Sequence, residues 1–180
     1  MIVCGIDGAL STTGIAIMNM DNKDMIEVNK ISTKYDKSIK NETEDKRILY
    51  ICDNIINYCK KHNVDTVIME DQYISAVTSK QTAMTLCRLR GAIMYALYNN
   101  NIDVEYVSTS TMTSSVVALS GVSFPKGFDK KLKCYTALKA IYKDNELFNS
   151  IGAFSDKQNK SKTSDMYDAI GLITYYANIK

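Results

Sequence analysis

The 180 residues hold one histidine, His62, and one proline, Pro125, and their five cysteines include no CxxC pair. With so little imidazole and no paired thiols, a zinc site of the Cys/His kind is excluded, and an odd, scattered set of cysteines does not make a disulfide framework. Cys4, Cys52, Cys59, Cys87 and Cys134 are therefore expected to be reduced, buried, small hydrophobes. No apolar run nears the roughly 18 residues of a membrane span, and the start, with Asp7 and two early glycines, lacks the basic flank and long apolar core of a signal peptide. No membrane association and a cytoplasmic location are expected. The net charge of +2 is too small to mark a nucleic-acid binder by itself, so the distribution of charge has to be read instead. Repeats, low-complexity tracts and an interdomain linker are all missing, which leaves one domain over 1–180, long enough to bury a core without staples.

What is present begins with a hairpin. Ile2 to Met18 comprises two apolar runs joined by a Gly/Ser/Thr turn, with one acid, Asp7, at the end of the first. An aspartate there is ordinarily a turn residue, so its partners decide its meaning. Met25 to Ser32 alternates weakly and predicts a third strand of an antiparallel meander. Residues 34–46 are polar, and from about Thr43 the recurrence of Ile48, Ile51/Cys52, Ile55/Ile56 and Cys59 predicts a helix to about Lys61, closed by His62-Asn63. His62 reads as a helix-end residue facing the dipole. Val64 to Glu70 is a short apolar strand that again ends in an acid. Lying between helices, it should pair parallel to the first strand, which puts Asp7 and Glu70 at one sheet edge, where open α/β sheets bind ligands.

A polar loop, 71–78, precedes a helix from about Ser79 to Asn100 with an expected stripe of Ala83, Leu86/Cys87, Ile93/Met94 and Leu97. Gly91 interrupts it, implying close approach of another backbone. Ile102 to Val107 reads as the last strand, Ser108 to Leu119 as a Ser/Thr-rich helix, and 120–129 as a loop. Lys130 to Lys143 is helical by spacing, with lysines crowding its first turn against the helix dipole, as a nearby polyanion would permit. Residues 144–163 are expected to be irregular, ending in a basic, mobile segment. A final helix is expected from Asp165 to about Asn178, with Thr163 or Ser164 as N-cap. Its stripe is Met166, Ala169/Ile170, Ile173 and Tyr176/Ala177. Asp165 and Asp168, three apart, project from one side.

Asp7, Glu70, Asp165 and Asp168 would repel one another unless neutralised. Hard oxygen donors call for Mg²⁺ or Mn²⁺, and two divalent ions balance four carboxylates. Such a pair, about 3.5–4 Å apart, activates water and stabilises the leaving oxygen of a phosphodiester without a histidine base. Asp71, next to Glu70, is an extra carboxylate. Strand neighbours face opposite ways, so one of the two joins the site and Glu70 is the choice.

On Gly5-Ile6-Asp7 with Thr13-Gly14, Val67-Ile68-Met69-Glu70, Arg90-Gly91 and Asp165-Met166-Tyr167-Asp168-Ala169, the sequence resembles RuvC-type Holliday-junction resolvases of the RNase H-like superfamily. The motifs keep family order and spacing across nearly the whole chain. The resemblance implies an α/β RNase H-like fold, a mixed five-stranded sheet made of a three-stranded antiparallel meander plus parallel strands, flanked by helices. It implies that Asp7, Glu70, Asp165 and Asp168 are the catalytic and metal-binding acids, with two Mg²⁺ per site and Mn²⁺ as substitute. It places an aromatic base-stacking residue at Tyr73 and a basic residue near the scissile phosphate at Lys130 or Lys131. Wider phosphate contacts then fall to Lys126 and Lys133, and to the basic loop carrying Lys160 and Lys162. The substrate would be a four-way DNA junction, nicked on opposed strands by a homodimer whose interface involves helix 79–100.

Two departures accompany the resemblance. Gly8-Ala9 stands where relatives usually carry Pro-Gly, and Thr111, Thr113, Ser114 and Ser115 occupy the region where relatives often place a lysine. Three other readings are open. A sugar-kinase or Hsp70-like ATPase shares the opening strand, Asp and Gly/Thr turn, but needs a second nucleotide lobe for which there is no room. A related RNase H-like nuclease acting on other branched DNA or on RNA-containing substrates would share the metal site, and so would the frame of a non-catalytic nucleic-acid-binding module.

Overall fold

The computed structural model describes residues 1–71, 78–152 and 157–180, those at 157–162 by backbone alone. Strands β1 (Ile2–Asp7), β2 (Thr12–Asn19) and β3 (Asp24–Ser32) form the expected antiparallel meander, and β4 (Thr66–Glu70) and β5 (Asp103–Val107) extend it in parallel, in the order β3-β2-β1-β4-β5. Helices α1 (Glu44–His62) and α2 (Lys80–Tyr98) cover one face; α3 (Thr109–Ser120), α4 (Lys130–Ile141), the short α5 (Glu146–Ser150) and α6 (Lys157–Ile179) lie on the other.

Alternation along the strands sorts the side chains between two cores. On β1, Cys4 and Ile6 pack with Ile48, Ile51 and Ile93 of α1 and α2, while Val3 packs with the α3, α4 and α6 core. On β4, Val67 and Met69 take the α1/α2 side and Ile68 the other. By the same period of two, Asp7 and Glu70 lie on the α6 side. With Ile6 paired to Met69, the two acids leave adjacent parallel strands at one edge.

Helix ends follow the local sequence. The Thr43 hydroxyl accepts from the Lys46 amide, Glu44 and Asp45 occupy the first turn of α1, and Asn63 closes it at φ 51°, a left-handed cap that asparagine tolerates. His62 at that end also pairs with Glu27 on β3, at 2.6 Å. Ser79, Ser108 and Asp129 cap α2, α3 and α4 through their side chains.

Several expectations need correction. Helix α6 begins at Lys157, eight residues before Asp165, so Lys160 and Lys162 sit in a helix rather than a mobile loop and neither Thr163 nor Ser164 is an N-cap. A short helix, α5, interrupts the stretch expected to be irregular. The buried stripe of α2 is Leu89, Ile93 and Leu97, and Cys87 is exposed, unlike the other four cysteines. Among the described residues, nothing lies within 4 Å of where a Cβ on Gly91 would stand, so none of their backbone packs there.

Close packing occurs instead where α6 crosses the sheet. A Cβ on Gly5 would land on the carbonyl oxygen of Ala169, and one on Gly14 on the carbonyl oxygen of Asp165. Because both positions are glycine, the α6 backbone rests directly on β1 and β2. That contact sets the height and register of the two acids on α6.

Candidate active site

Asp7 and Glu70 come from the ends of β1 and β4, and Asp165 and Asp168 from one side of α6 above them. Asp7, Glu70 and Asp168 line one cleft of about 790 Å³. Asp165 stands at its β2 side, where its carboxylate accepts a hydrogen bond from the Thr12 hydroxyl. Glu70 accepts one from the Thr109 hydroxyl, at the start of α3. Asp168 Oδ2 is 3.6 Å from the Lys131 ammonium on α4. Each outer carboxylate is thus held by a neighbour. Among the described residues, no three Asp, Glu, His or Cys side chains close on a common point.

The electrostatics are those of an under-neutralised anionic centre. Burial, then the charges of Asp168, Asp165 and Glu70, pushes the Asp7 carboxyl well above its ordinary value, opposed by Lys131. Burial raises Glu70 as well, with Asp168 adding to it. Asp168 is raised by burial and Asp165, against the pull of Lys131. For Lys131, burial works to lower the ammonium, but Asp168, Asp7 and Asp165 outweigh it and the net shift is upward. All four acids offer only hard oxygen donors, and an ammonium already stands among them, so the donor set fits a hard divalent cation such as Mg²⁺ or Mn²⁺. Burial pushes the thiol of Cys134, beside them, up to about 12, so without a metal it is protonated at neutral pH.

These shifts carry a stability consequence whose sign is opposite to that of a salt-bridged acid. A carboxyl raised in the folded state binds its proton more tightly there than in the unfolded chain. Its penalty is therefore full above the folded value, and it vanishes as pH falls to the ordinary carboxylate range. Metal-free protein is expected to melt several degrees higher at about pH 5.5 than at about pH 8, since 1 kcal/mol moves Tm by about 2–4 °C in a chain of this size. The opposing loss of Glu27 and Asp36, whose carboxyls are lowered, begins only below that window. Thermal melts in EDTA and in Mg²⁺ check this: Mg²⁺ should remove most of the pH difference, and a metal-free Tm that rises with pH would contradict it.

The cleft has two unlike walls. Lys130, Lys131 and Lys133 of α4 form one; Ser108, Thr109, Ser110, Thr113 and Ser114 at the start of α3 form the other. Thr113 and Ser114 belong to the stretch where the sequence departs from the family it resembles, and this wall offers neutral donors instead of charge. Lys126 is exposed on the loop before α4 and does not line the cleft. Lys160 and Lys162 lie in the first turns of α6, their side chains outside the described residues, and Tyr73 lies outside them altogether.

Sequence reasoning missed the two threonine donors. Thr12 was legible in principle, being two residues before Gly14 and hence on the face α6 covers; Thr109 carries no pattern. Asp71 also lines the cleft, and it has a partner outside the other acids. Its carboxylate is 3.0 Å from Arg90 of α2, whose guanidinium stacks 4.1 Å from the Tyr106 ring centroid on β5. Glu70 and Asp71 thus both line the cleft, and Asp71 is in addition tied to a helix from the opposite layer. His62, at the far end of α1, does not line the cleft.

Comparison with known proteins adds to this geometry. The family model of the crossover junction endodeoxyribonuclease RuvC matches residues 3–123, a span that includes Asp7 and Glu70 and stops before α4 and α6. A RuvC crossover junction endodeoxyribonuclease of Ehrlichia ruminantium (strain Gardel) is 26% identical over 97 residues, 54% of this chain, and the chain spans only 59% of that relative's length. Thermus thermophilus RuvC in complex with a Holliday junction substrate superposes with a TM-score of 0.66 at 14% identity, over 98% of this chain and 94% of that one. The yeast mitochondrial Holliday junction resolvase Ydc2 does so with a TM-score of 0.65 at 13% identity, over 98% and 78%. At such identities these likenesses establish the fold, the α/β arrangement that carries all four acids.

Proposed function

The chain belongs to the RuvC crossover junction endodeoxyribonuclease family, and from that premise we propose that it nicks opposed strands of four-way DNA junctions by divalent-metal-dependent phosphodiester hydrolysis. The observation that carries this reading is the convergence of Asp7, Glu70 and Asp168 on one cleft walled by lysines, with Asp165 at its side. An acidic floor alone would repel a phosphate. A cationic wall beside it holds the strand by its backbone, while the floor is neutralised by cations.

Asp7, Glu70, Asp165 and Asp168 would hold two Mg²⁺, which supply activation of water and charge stabilisation at the phosphoryl centre when bound. The chain's own side chains do the rest. Lys130 and Lys133 bind phosphates flanking the scissile one, and Lys131, reaching furthest toward the acids, meets the scissile phosphate itself. The α3 hydroxyls donate to phosphate and sugar oxygens from the other side. Thr12 and Ser164 donate to the two oxygens of Asp165, and Thr109 to one oxygen of Glu70, which fixes both carboxylates. Hydrolysis joins a water oxygen to phosphorus and breaks the phosphorus–oxygen bond of the backbone, with no histidine in reach to serve as base. Tyr73, on the segment after Glu70, supplies a ring for an unpaired base at the junction centre.

A junction with near two-fold symmetry needs two such sites. Met84, Met94, Tyr95 and Tyr98 of α2 are 50–78% exposed, an apolar face that a second copy would cover as a homodimer.

The deciding experiment incubates the protein in Mg²⁺ with labelled four-way junction, duplex, replication fork and RNA–DNA hybrid. Paired nicks across the junction with little cutting of duplex are expected. Cutting of the hybrid with the junction ignored would overturn the resolvase reading.

A further inference from the structure

Among the described residues, the ion pairs place one ammonium on the acidic floor, that of Lys131. It approaches Asp168 from the first turn of α4, and its charge is also felt at Asp7 and Glu70. Its side chain is 57% exposed, against 18% for Asp168, so the stem lies in the cleft mouth while the head reaches inward. Lys130 and Lys133 line the same cleft, but neither forms an ion pair with these acids among the described residues.

We propose that Lys131 is an exchangeable counter-cation of the metal-free centre, displaced from Asp168 when divalent cations load and thereby released to bind phosphate. The inference rests on the metal-dependent reading above. Three physical steps support it. Four carboxylates drawn together and partly desolvated require a positive partner, and the fold supplies one. An ammonium against Asp168 and a divalent ion held by the same carboxylate repel each other strongly at low local dielectric, so the two occupancies compete. The displaced head, on a flexible four-carbon stem, has the cleft mouth beside Lys130 and Lys133 as its place to go, which is where the strand backbone lies. Metal loading would then raise affinity for the strand, and the strand would raise affinity for metal by the same factor, because the coupling is reciprocal.

The test is a calorimetric titration of Mg²⁺ into the full chain without nucleic acid, for the wild type, Lys131→Met, Lys131→Gln and Lys130→Met. Removing the competing ammonium should tighten Mg²⁺ binding about threefold to tenfold in both Lys131 variants. Lys130→Met, which removes the same charge from the same cleft without touching Asp168, should change it by less than about twofold. Two substitutions at 131 keep the test open if one of them misfolds. If the wild type binds Mg²⁺ and the Lys131 variants bind it no tighter, or only as much tighter as Lys130→Met, the counter-cation role is overturned while the metal-dependent reading stands. If none of the four proteins binds Mg²⁺, that reading falls and the counter-cation role falls with it.

Discussion

Asparagine in place of Asp7 should lower junction cleavage about a thousandfold or more while leaving junction affinity within about threefold. The substitution is nearly isosteric, so the β1–β4 edge keeps its shape. What it removes is the carboxylate that the other three acids surround, the one whose charge burial opposes most and whose neighbours Asp168, Asp165 and Glu70 add to the cost. On the proposed function, strand contacts would come from the lysine and hydroxyl walls and would not pass through it. The same change should raise the metal-free melting temperature at neutral pH, since a buried, mutually repelling charge is gone, and should shrink the further rise caused by Mg²⁺. Single-turnover cleavage, junction binding and melting with and without Mg²⁺ give three independent readings. Full activity would remove Asp7 from the mechanism, and loss of binding in step with cleavage would show that the fold had failed. Asp71→Asn is the internal comparison. That carboxylate is engaged by Arg90, so its loss should lower cleavage by less than about tenfold.

The strands and the acids at their ends were legible because alternation and strand-end position are local signals. Val3, Gly5 and Asp7 share a face whatever else the chain does, and the parallel pairing of β1 with β4 followed from the helix between them. The start of α6 was not legible. Its first turns are Lys157-Gln158-Asn159-Lys160-Ser161-Lys162, which carry no apolar residue, and periodicity has nothing to detect in an all-polar segment. Helix α2 misled in the opposite way. Cys87 and Met94 of the expected stripe are apolar and exposed, while the true stripe is Leu89, Ile93 and Leu97, and the pattern cannot tell a face turned to the core from one left outside. The site was read as four acids and a few lysines, and the threonines escaped because a hydroxyl that steadies a carboxylate leaves no trace in spacing. Gly91 was given a packing role that belongs to Gly5 and Gly14. A glycine in a helix attracts notice by its propensity cost, whereas in a strand its meaning depends on what crosses above it.

Gly14→Ala is therefore expected to be among the most damaging single-methyl changes in the chain. The added Cβ meets the carbonyl oxygen of Asp165 and the amide of Met166, atoms of a helix backbone, so no side-chain rotation relieves the collision. Either β2 or α6 must move. Overpacking of this kind costs about 1–3 kcal/mol when side chains can adjust and more when they cannot, so we expect at least about 3 kcal/mol, read as a lowered urea midpoint at unchanged slope. The functional loss should exceed what instability explains. Lifting α6 at Gly14 carries Asp165 away from Thr12 and shifts Asp168 against Lys131, so protein still folded at low temperature should cleave at least about a hundredfold more slowly, as sub-ångström to ångström displacements of reacting groups do elsewhere. Gly91→Ala makes the contrast within the same chain. With none of the described residues within 4 Å of its Cβ and a helical backbone, it should stabilise by about 0.5–1 kcal/mol. The same substitution would then have opposite signs at two glycines, set by whether a helix crosses above. Equal effects at both would mean that α6 does not rest on β2 as described, and the placement of Asp165 and Asp168 over Asp7 would lose its support.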